Sequence, residues 1–197
     1  MLDMRQIELA ATLGDAISIE LYKSRPFLYW LNWGQRLDII NQVMDYLVIR
    51  DVKKTLNLKH LLLTSYACDL AEHVLHIFED KYPEDKRPRE AIKLAREFVL
   101  GLDIDKKKLE KTWEDIQVLV GSIFDSDNMA ACNAVDSAGQ AVFIAFAPSD
   151  VISACVASSC QYASDVYLDD KVRQAEHSWQ QARLVKYLMG EIKVIKD

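Results

Sequence analysis

Apolar residues recur at every third or fourth position along most of the chain, with charged residues between them. This spacing places apolar side chains on one face of an α-helix. No stretch of useful length alternates between apolar and polar residues as a strand does. The pattern predicts eight helices, at about residues 4–22, 35–49, 58–82, 88–100, 106–120, 128–147, 150–164 and 169–190.

These helices predict an all-α fold, a multi-helix bundle of about eight helices. Short connections between long helices place consecutive helices side by side and mostly antiparallel. The 197 residues, half of them apolar, are enough for one all-helical domain spanning residues 1–197. Alanine-rich stretches between Ala130 and Ala163 predict a close approach of two helices, with Pro148 at the turn between them.

The segment DKYPEDKRPREAIKLAREFVLG, residues 80–101, has the most specific local pattern in the chain. Pro83 ends the preceding helix, because proline lacks an amide hydrogen and restricts the residue before it. Pro88 fits the first turn of a new helix, where its missing donor is not needed. Gly101 is typical of the residue that closes a helix. The segment therefore predicts a short helix with well-defined ends.

Arg87 and Arg89 stand near the start of this helix, where the backbone already carries partial positive charge. One interpretation is a local cluster of ion pairs with Glu84, Asp85 and Glu90 that fixes the loop. The alternative is a site for an anion or carboxylate, since a guanidinium group binds planar oxyanions with two hydrogen bonds. Both remain open, and the candidate binding residues are Asp85, Arg87, Arg89 and Glu90.

The net charge of −6 conceals an uneven distribution. Residues 112–170 contain no lysine or arginine, so this segment carries −9 and the remainder +3. Its nine acids are Glu114, Asp115, Asp125, Asp127, Asp136, Asp150, Asp165, Asp169 and Asp170. Such a segment either forms a surface that attracts a basic protein partner or places its acids in loops and helix caps. Because no basic stripe with interleaved aromatic residues is present, nucleic acid is not an expected partner.

Asp69, Glu72, His73, His76 and Asp80 share the polar face of the third predicted helix. Histidines and carboxylates at this spacing are typical of metal ligands in a helical bundle, so a metal-dependent enzyme using His73 and His76 is one alternative. A solvated polar face is the other, because a metal needs ligands from further helices. The residues available for that role are Glu114, Asp115, Glu176 and His177. We therefore expect no cofactor or metal.

No pattern in the sequence identifies a catalytic residue, because phosphate-binding glycine loops, nucleophile elbows and dinucleotide fingerprints are missing. Cys68, Cys132, Cys155 and Cys160 form no CxxC pair and are predicted to be buried free thiols. The longest apolar stretch, residues 141–147, is too short for a membrane span. With no secretory signal visible at the start, we expect a cytoplasmic location without membrane association.

Residues 77–101, IFEDKYPEDKRPREAIKLAREFVLG, resemble the Imm5-like group of bacterial immunity proteins. In that group an acidic, proline-bounded loop leads into an Arg-Pro-Arg helix that ends at glycine. The alanine-rich helices of residues 130–163 are similar to the same pattern, as is the last helix with Glu176, Trp179, Gln180 and Leu184. The positions that match the central pattern are Asp85, Arg87, Pro88, Arg89, Ala91 and Ile92.

This resemblance implies an all-helical cytosolic protein that neutralises a cognate toxin by binding it. A protein partner, in particular a basic toxin domain, would then face the acidic segment of residues 112–170. Association of the chain with itself stays open, as does a role as a regulator that binds a small anion through its arginines.

Overall fold

A computed structural model describes residues 52–148, 151–188 and 192. Within these residues the regular elements are six α-helices and one short 3₁₀-helix, with no strand. The helices are α1 (Val52–Glu79), α2 (Arg87–Val99), α3 (Lys106–Ile123), α4 (Met129–Phe146), α5 (Ile152–Asp165) and α6 (Asp170–Leu188). The all-α class is confirmed. The first two predicted helices lie outside the described residues, so the count of about eight is not confirmed, and a single domain over residues 1–197 stays a prediction.

The observed bounds of α1 differ from the predicted ones at both ends. The described part of α1 begins at Val52, earlier than predicted, because the charged residues before Leu58 favour a helix and do not interrupt it. At the other end α1 stops at Glu79, and the amide of Tyr82 donates to the carbonyl of Phe78 at 2.8 Å in a closing turn. Pro83 follows that turn, so the predicted stop is correct in kind and three residues late in position.

The predicted caps of α2 are confirmed. Pro88 lies in the first turn, and Gly101 adopts a positive φ of 73° just beyond the helix. The amide of Gly101 donates to the carbonyl of Phe98 at 3.0 Å, and that of Leu102 donates to Glu97 at 3.2 Å. This pair of hydrogen bonds is a Schellman motif, which glycine favours because it has no Cβ to oppose the left-handed conformation.

Helix α4 lies at the centre of the described bundle. It packs against α3, α2, α1 and α5, which follow one another around it, while α6 packs on α1 and α5. The predicted close approach of α4 and α5 is confirmed, since the hydroxyl oxygens of Ser137 and Ser159 lie 3.4 Å apart and are fully buried. Small side chains at this seam let the two backbones come together.

By length and composition α4 could also cross a membrane, with a mean hydropathy of 1.2. In the fold, 61% of its residues are buried among the other helices. This burial is typical of the central helix of a bundle, which needs an apolar surface on most of its circumference.

The four cysteines are free thiols, as predicted. Cys68, Cys132 and Cys160 are buried, and Cys155 is half-buried. Burial raises the pKa of the Cys68 thiol to about 12, so this residue is protonated at neutral pH and behaves as a small apolar side chain.

Two glycines in helices provide a matched test of this packing. A Cβ at Gly139 of α4 would lie 2.9 Å from Cγ2 of Ile116, whereas a Cβ at Gly121 of α3 would have no atom within 4 Å. Both glycines gain helix propensity on replacement by alanine, but only Gly139→Ala overpacks the core. We expect Gly139→Ala to lower the free energy of unfolding by about 1 kcal/mol and Gly121→Ala to raise it by a similar amount. Urea unfolding of both variants checks this, and a stabilising Gly139→Ala would contradict the packing of α3 on α4.

Candidate functional site

The loop between α1 and α2 holds Arg87 through Asp85. The guanidinium Nε of Arg87 donates to Asp85 Oδ1 at 3.0 Å, and Nη2 donates to Oδ2 at 2.5 Å. The backbone amide of Arg87 also donates to Oδ1, at 3.1 Å. These hydrogen bonds hold the pKa of the Asp85 carboxyl below its usual value. One part of the predicted local ion-pair cluster is therefore present.

Arg89 finds its carboxylate on a different element. Its Nε and Nη2 donate to the two oxygens of Glu79, at 2.6 and 2.5 Å, and this contact lowers the pKa of Glu79. The antiparallel packing of α1 and α2 brings the end of α1 opposite the start of α2. Glu84 and Glu90, which the sequence offered as local partners, do not take this role.

Glu90 and Arg87 instead line a groove of about 330 Å³ between α2 and α3. Leu94 and Ile116 supply its apolar part. The charged lining residues are Arg87, Lys93, Lys108, Glu90, Glu97 and Asp115. Three bases and three acids balance, so the groove does not select an anion. Of the four candidate binding residues, Arg87 and Glu90 line this groove, whereas Asp85 and Arg89 lie at the connection of α1 and α2. The four residues therefore do not form one pocket.

The polar face of α1 is covered by α2 and α6, and Asp69 lies at the centre of that contact. This carboxylate is only 6% exposed. It accepts hydrogen bonds from Arg96 Nη2 at 2.9 Å, Arg183 Nε at 2.6 Å and Tyr187 Oη at 2.6 Å. Three helices are therefore joined at one buried acid, and the expectation of a solvated face is wrong at this position.

His73, one turn further along α1, meets the buried acid Glu176 of α6. Its Nδ1 lies 2.8 Å from Glu176 Oε2, without the alignment of a hydrogen bond. The His73 ring also stacks on Trp179, with 3.7 Å between ring centroids. The other oxygen of Glu176 accepts from Gln180 Nε2 at 3.0 Å. This arrangement fixes α6 on α1.

The remaining candidate metal ligands have partners of their own or face solvent. Glu72 accepts from Arg96, and His76 is exposed with its Nδ1 3.2 Å from the carbonyl oxygen of His73. Among the described residues, no group of three or more histidines, cysteines, aspartates or glutamates could hold a metal ion. The arrangement of Asp69, Glu72, His73 and His76 therefore does not support a metal-dependent enzyme.

The acids of residues 112–170 divide between two roles. Some serve local structure: Asp115 accepts from Lys111 at 2.7 Å, and Asp169 accepts from the amides of Lys171 and Val172 at the start of α6. Others are exposed, and these are Glu114, Asp125, Asp127 and Asp170. Asp150 lies outside the described residues. The interpretation that places acids in helix caps and local contacts is thus correct for some members, and a surface that attracts a basic protein partner stays a prediction for the exposed ones.

Asp136 differs from all the other acids of the segment. It lies half-buried in the middle of α4 and makes no hydrogen bond or ion pair with the residues that the structure describes. Burial alone raises the pKa of its carboxyl to about 6. The pKa of the Tyr162 phenol on α5 is raised by burial and then by the charge of Asp136. An unpaired carboxylate in this position opposes folding whenever it is ionised.

This cost gives a prediction with a defined pH window. The folded pKa of Asp136 lies above the ordinary value of 3.8, so its penalty is absent below that value and complete above about pH 6. Because the group is partly solvated, we expect Asp136→Asn to raise the free energy of unfolding by about 1 kcal/mol at neutral pH and to have no effect near pH 4. Chemical denaturation at both pH values measures this. The exposed control Glu114→Gln should change stability little at either pH, and an equal gain at both would contradict the assignment.

A comparison with known proteins assigns the family. The family model described as Imm-5 like putative immunity protein matches residues 53–187. The chain belongs to this family. No curated protein and no solved structure matches the Imm5-like chain. The match begins at the second residue of α1 and ends in the last turn of α6, so the family unit coincides with the described bundle.

The resemblance of residues 77–101 to Imm5-like proteins is thereby confirmed. Family membership supports a general immunity role, and an immunity role implies a protein partner. In this Imm5-like protein the conspicuous arginines Arg87 and Arg89 hold the α1–α2 connection together. Negative charge that is exposed to solvent lies instead among the acids of residues 112–170.

Proposed function

We propose that this Imm5-like protein neutralises a cognate toxin by binding it, and that an acidic end of the bundle faces a basic surface of the toxin. The observation that carries the proposal is the family match over residues 53–187, joined to the absence of any lysine or arginine in residues 112–170. Stoichiometric binding needs no catalytic group.

The acidic end is defined here as Asp125, Asp127, Asp165, Asp169 and Asp170. Asp125 and Asp127 precede α4, and Asp165 to Asp170 connect α5 to α6. These two connections are adjacent, because Asn133 Nδ2 near the start of α4 donates to the carbonyl oxygen of Asp165 at 3.1 Å.

Two basic side chains near the acidic end are bound to the backbone. Lys81 Nζ donates to the carbonyl oxygen of Asp127 at 3.1 Å, and the Arg173 guanidinium donates to that of Tyr167 at 2.9 Å. Both contacts hold the positive charges close to the fold, and Arg173 also pairs with Asp170, with 3.6 Å between Nη1 and Oδ1. The end therefore keeps an acidic character toward a partner.

Large apolar side chains are exposed at the same end. Leu168 is 88% exposed and Phe124 is 66% exposed, and Met129 and Val172 are also accessible. Interfaces commonly combine apolar anchors of this kind with a polar rim, and clustered exposed apolar residues mark interaction sites. The acidic end thus offers both charge for attraction and apolar area for a stable contact.

The proposal is tested with the proteins that the reading frames next to this gene encode, each purified and mixed with the chain. Association with the purified chain should slow at least tenfold between about 0.05 and 0.5 M salt, because complementary charges steer the encounter and salt screens them. Dissociation should change much less. The double variant Asp125→Asn/Asp170→Asn should lose most of this salt dependence.

The control for charge is Asp103→Asn/Glu110→Gln, which removes one acid just before α3 and one in its second turn, and which should leave association unchanged. Salt-insensitive association, or an acidic toxin, would overturn the role of the acidic end. Failure of the folded chain to bind the toxin at any salt concentration would overturn the proposed function itself.

A further inference from the structure

Helix α4 keeps one face accessible along its whole length. Five residues form this face, which we call the α4 stripe: Met129, Asn133, Asp136, Gln140 and Phe143. Their steps of four and three residues place them in one line along the helix. Apart from Ala130 and Phe146 near the two ends, the other residues of α4 are buried.

The α4 stripe lies between α3 and α5. Both helices pack on α4, and they do not pack extensively on each other. On the α3 side the ring of Trp113 lies 5.3 Å from that of Phe143. On the α5 side Tyr162 is close enough to Asp136 for the acid to raise its pKa. The stripe is therefore partly exposed between two helices and flanked by aromatic side chains.

The chemistry of the stripe is ordered along its length. Its two ends are apolar, at Met129 and Phe143, and its centre carries two amides and the unpaired Asp136. No cation of α4 or α5 faces this carboxylate, since residues 112–170 contain no lysine or arginine. A half-buried acid kept at a cost to stability, without an internal partner, is typical of a functional position.

We propose that the α4 stripe is the specific docking site for an amphipathic helix of the toxin, one that carries a lysine or arginine between apolar side chains. Its cation pairs with Asp136, its apolar side chains contact Phe143 and Met129, and polar groups beside the cation bond to the amides of Asn133 and Gln140. Amphipathic helices commonly bind with their apolar face against a partly exposed surface between two helices. This inference rests on the proposed function and adds the chemistry of the bound segment.

Other occupants fit the charge less well. A second copy of the chain would place its own Asp136 opposite this one in a symmetric contact, so two like charges would meet. Residues 1–51 lie outside the family match, so a site that belongs to the family unit should not depend on them. Both occupants are distinguished by the experiment below.

The kinetic test uses as its probe the toxin that the binding experiment above identifies, and it compares two acids. Asp136→Asn should raise Kd about tenfold, mainly through faster dissociation, because a half-buried contact is lost. Asp170→Asn, whose side chain is 84% exposed, should instead slow association and reduce its salt dependence. Asp136→Glu keeps the charge and should restore part of the affinity. Unchanged dissociation for Asp136→Asn, with wild-type binding intact, would overturn this inference alone.

Photo-crosslinking identifies the occupant directly. When p-benzoylphenylalanine replaces Gln140 in the otherwise wild-type protein, we expect it to crosslink to a basic helical segment of the toxin. A crosslink to a second copy, or to residues 1–51 of the same chain, would overturn the inference and leave the proposed function standing. Absence of any complex with the unmodified protein would overturn both. Asp136→Asn should be more stable than the parent at neutral pH, so its loss of affinity cannot come from unfolding.

Discussion

Replacement of Asp69 by alanine is expected to lower the free energy of unfolding by about 3 kcal/mol, because it breaks a buried cluster of ion pairs and hydrogen bonds. The carboxylate is buried and accepts hydrogen bonds from Arg96, Arg183 and Tyr187. Its removal leaves the Arg183 guanidinium without its carboxylate partner and leaves Arg96 with Glu72 alone. Urea denaturation followed by circular dichroism measures the loss.

The control for this prediction is Asp115→Asn, which breaks an exposed pair with Lys111 on α3. Exposed pairs one helical turn apart contribute about 0.5 kcal/mol or less, so the control should be nearly neutral. Similar small losses for Asp69 and Asp115 would show that Asp69 does not join α1, α2 and α6 as described.

Gln180→Glu should have the second large effect, and this one should depend on pH. Gln180 is 2% exposed, and its Nε2 donates to the Cys160 carbonyl, the Ser164 hydroxyl and Glu176 Oε1 at 3.0 to 3.1 Å. A glutamate of the same shape donates no hydrogen bond when ionised and places a second carboxylate beside Glu176. We expect a loss of about 3 kcal/mol at neutral pH.

The pH dependence of this stability loss follows from protonation of the carboxyl pair that the new glutamate forms with Glu176. A carboxyl pair in a buried site has one raised pKa, so the penalty is present above that pKa and falls when a proton is bound between the two groups. Gln180→Glu should therefore approach wild-type stability as the pH is lowered toward about 5. The exposed Gln117→Glu on α3 undergoes the same chemical change and should show almost no effect at either pH. A penalty for Gln180→Glu that grows on acidification would contradict the contact with Glu176.

Local features of the fold were predictable from the sequence because they depend on neighbours within a few residues. Pro88 at the start of α2 and Gly101 after its end are features of this kind, and both have the predicted conformation. The contact between Arg87 and Asp85 also spans only two residues. Helical periodicity supplied the rest of the α-helical assignment, since amphipathic spacing is visible without knowledge of the partners.

Contacts between helices were not predictable in the same way. Arg89 pairs with Glu79 ten residues away, and Arg183 reaches Asp69 across 114 residues. Both depend on the antiparallel register of α1, α2 and α6, which no local pattern specifies. For the same reason the polar face of α1 suggested a metal site or solvent, whereas the structure covers it with arginines and a stacked tryptophan.

The position of Asp136 on a narrow polar line of α4 could have been predicted from the sequence. Asn133, Asp136 and Gln140 follow at steps of three and four residues in an otherwise apolar helix. Such spacing indicates a narrow polar line on a helix that is buried elsewhere. Asp136 is one of nine acids in its segment and does not differ from the others in residue type. Its partial burial depends on α3 and α5, which lie on either side of α4 and whose positions the spacing does not specify.

The central claim, that this Imm5-like protein neutralises a toxin by binding it, is tested most directly by protection of a host cell. The reading frames next to the gene are each expressed with and without the chain, and growth and co-elution are measured in the same cells. We expect one of these reading frames to stop growth, and we expect survival only when the chain is present, together with an equimolar complex of the two proteins. Cell death despite abundant folded chain, or survival without any complex, would contradict it.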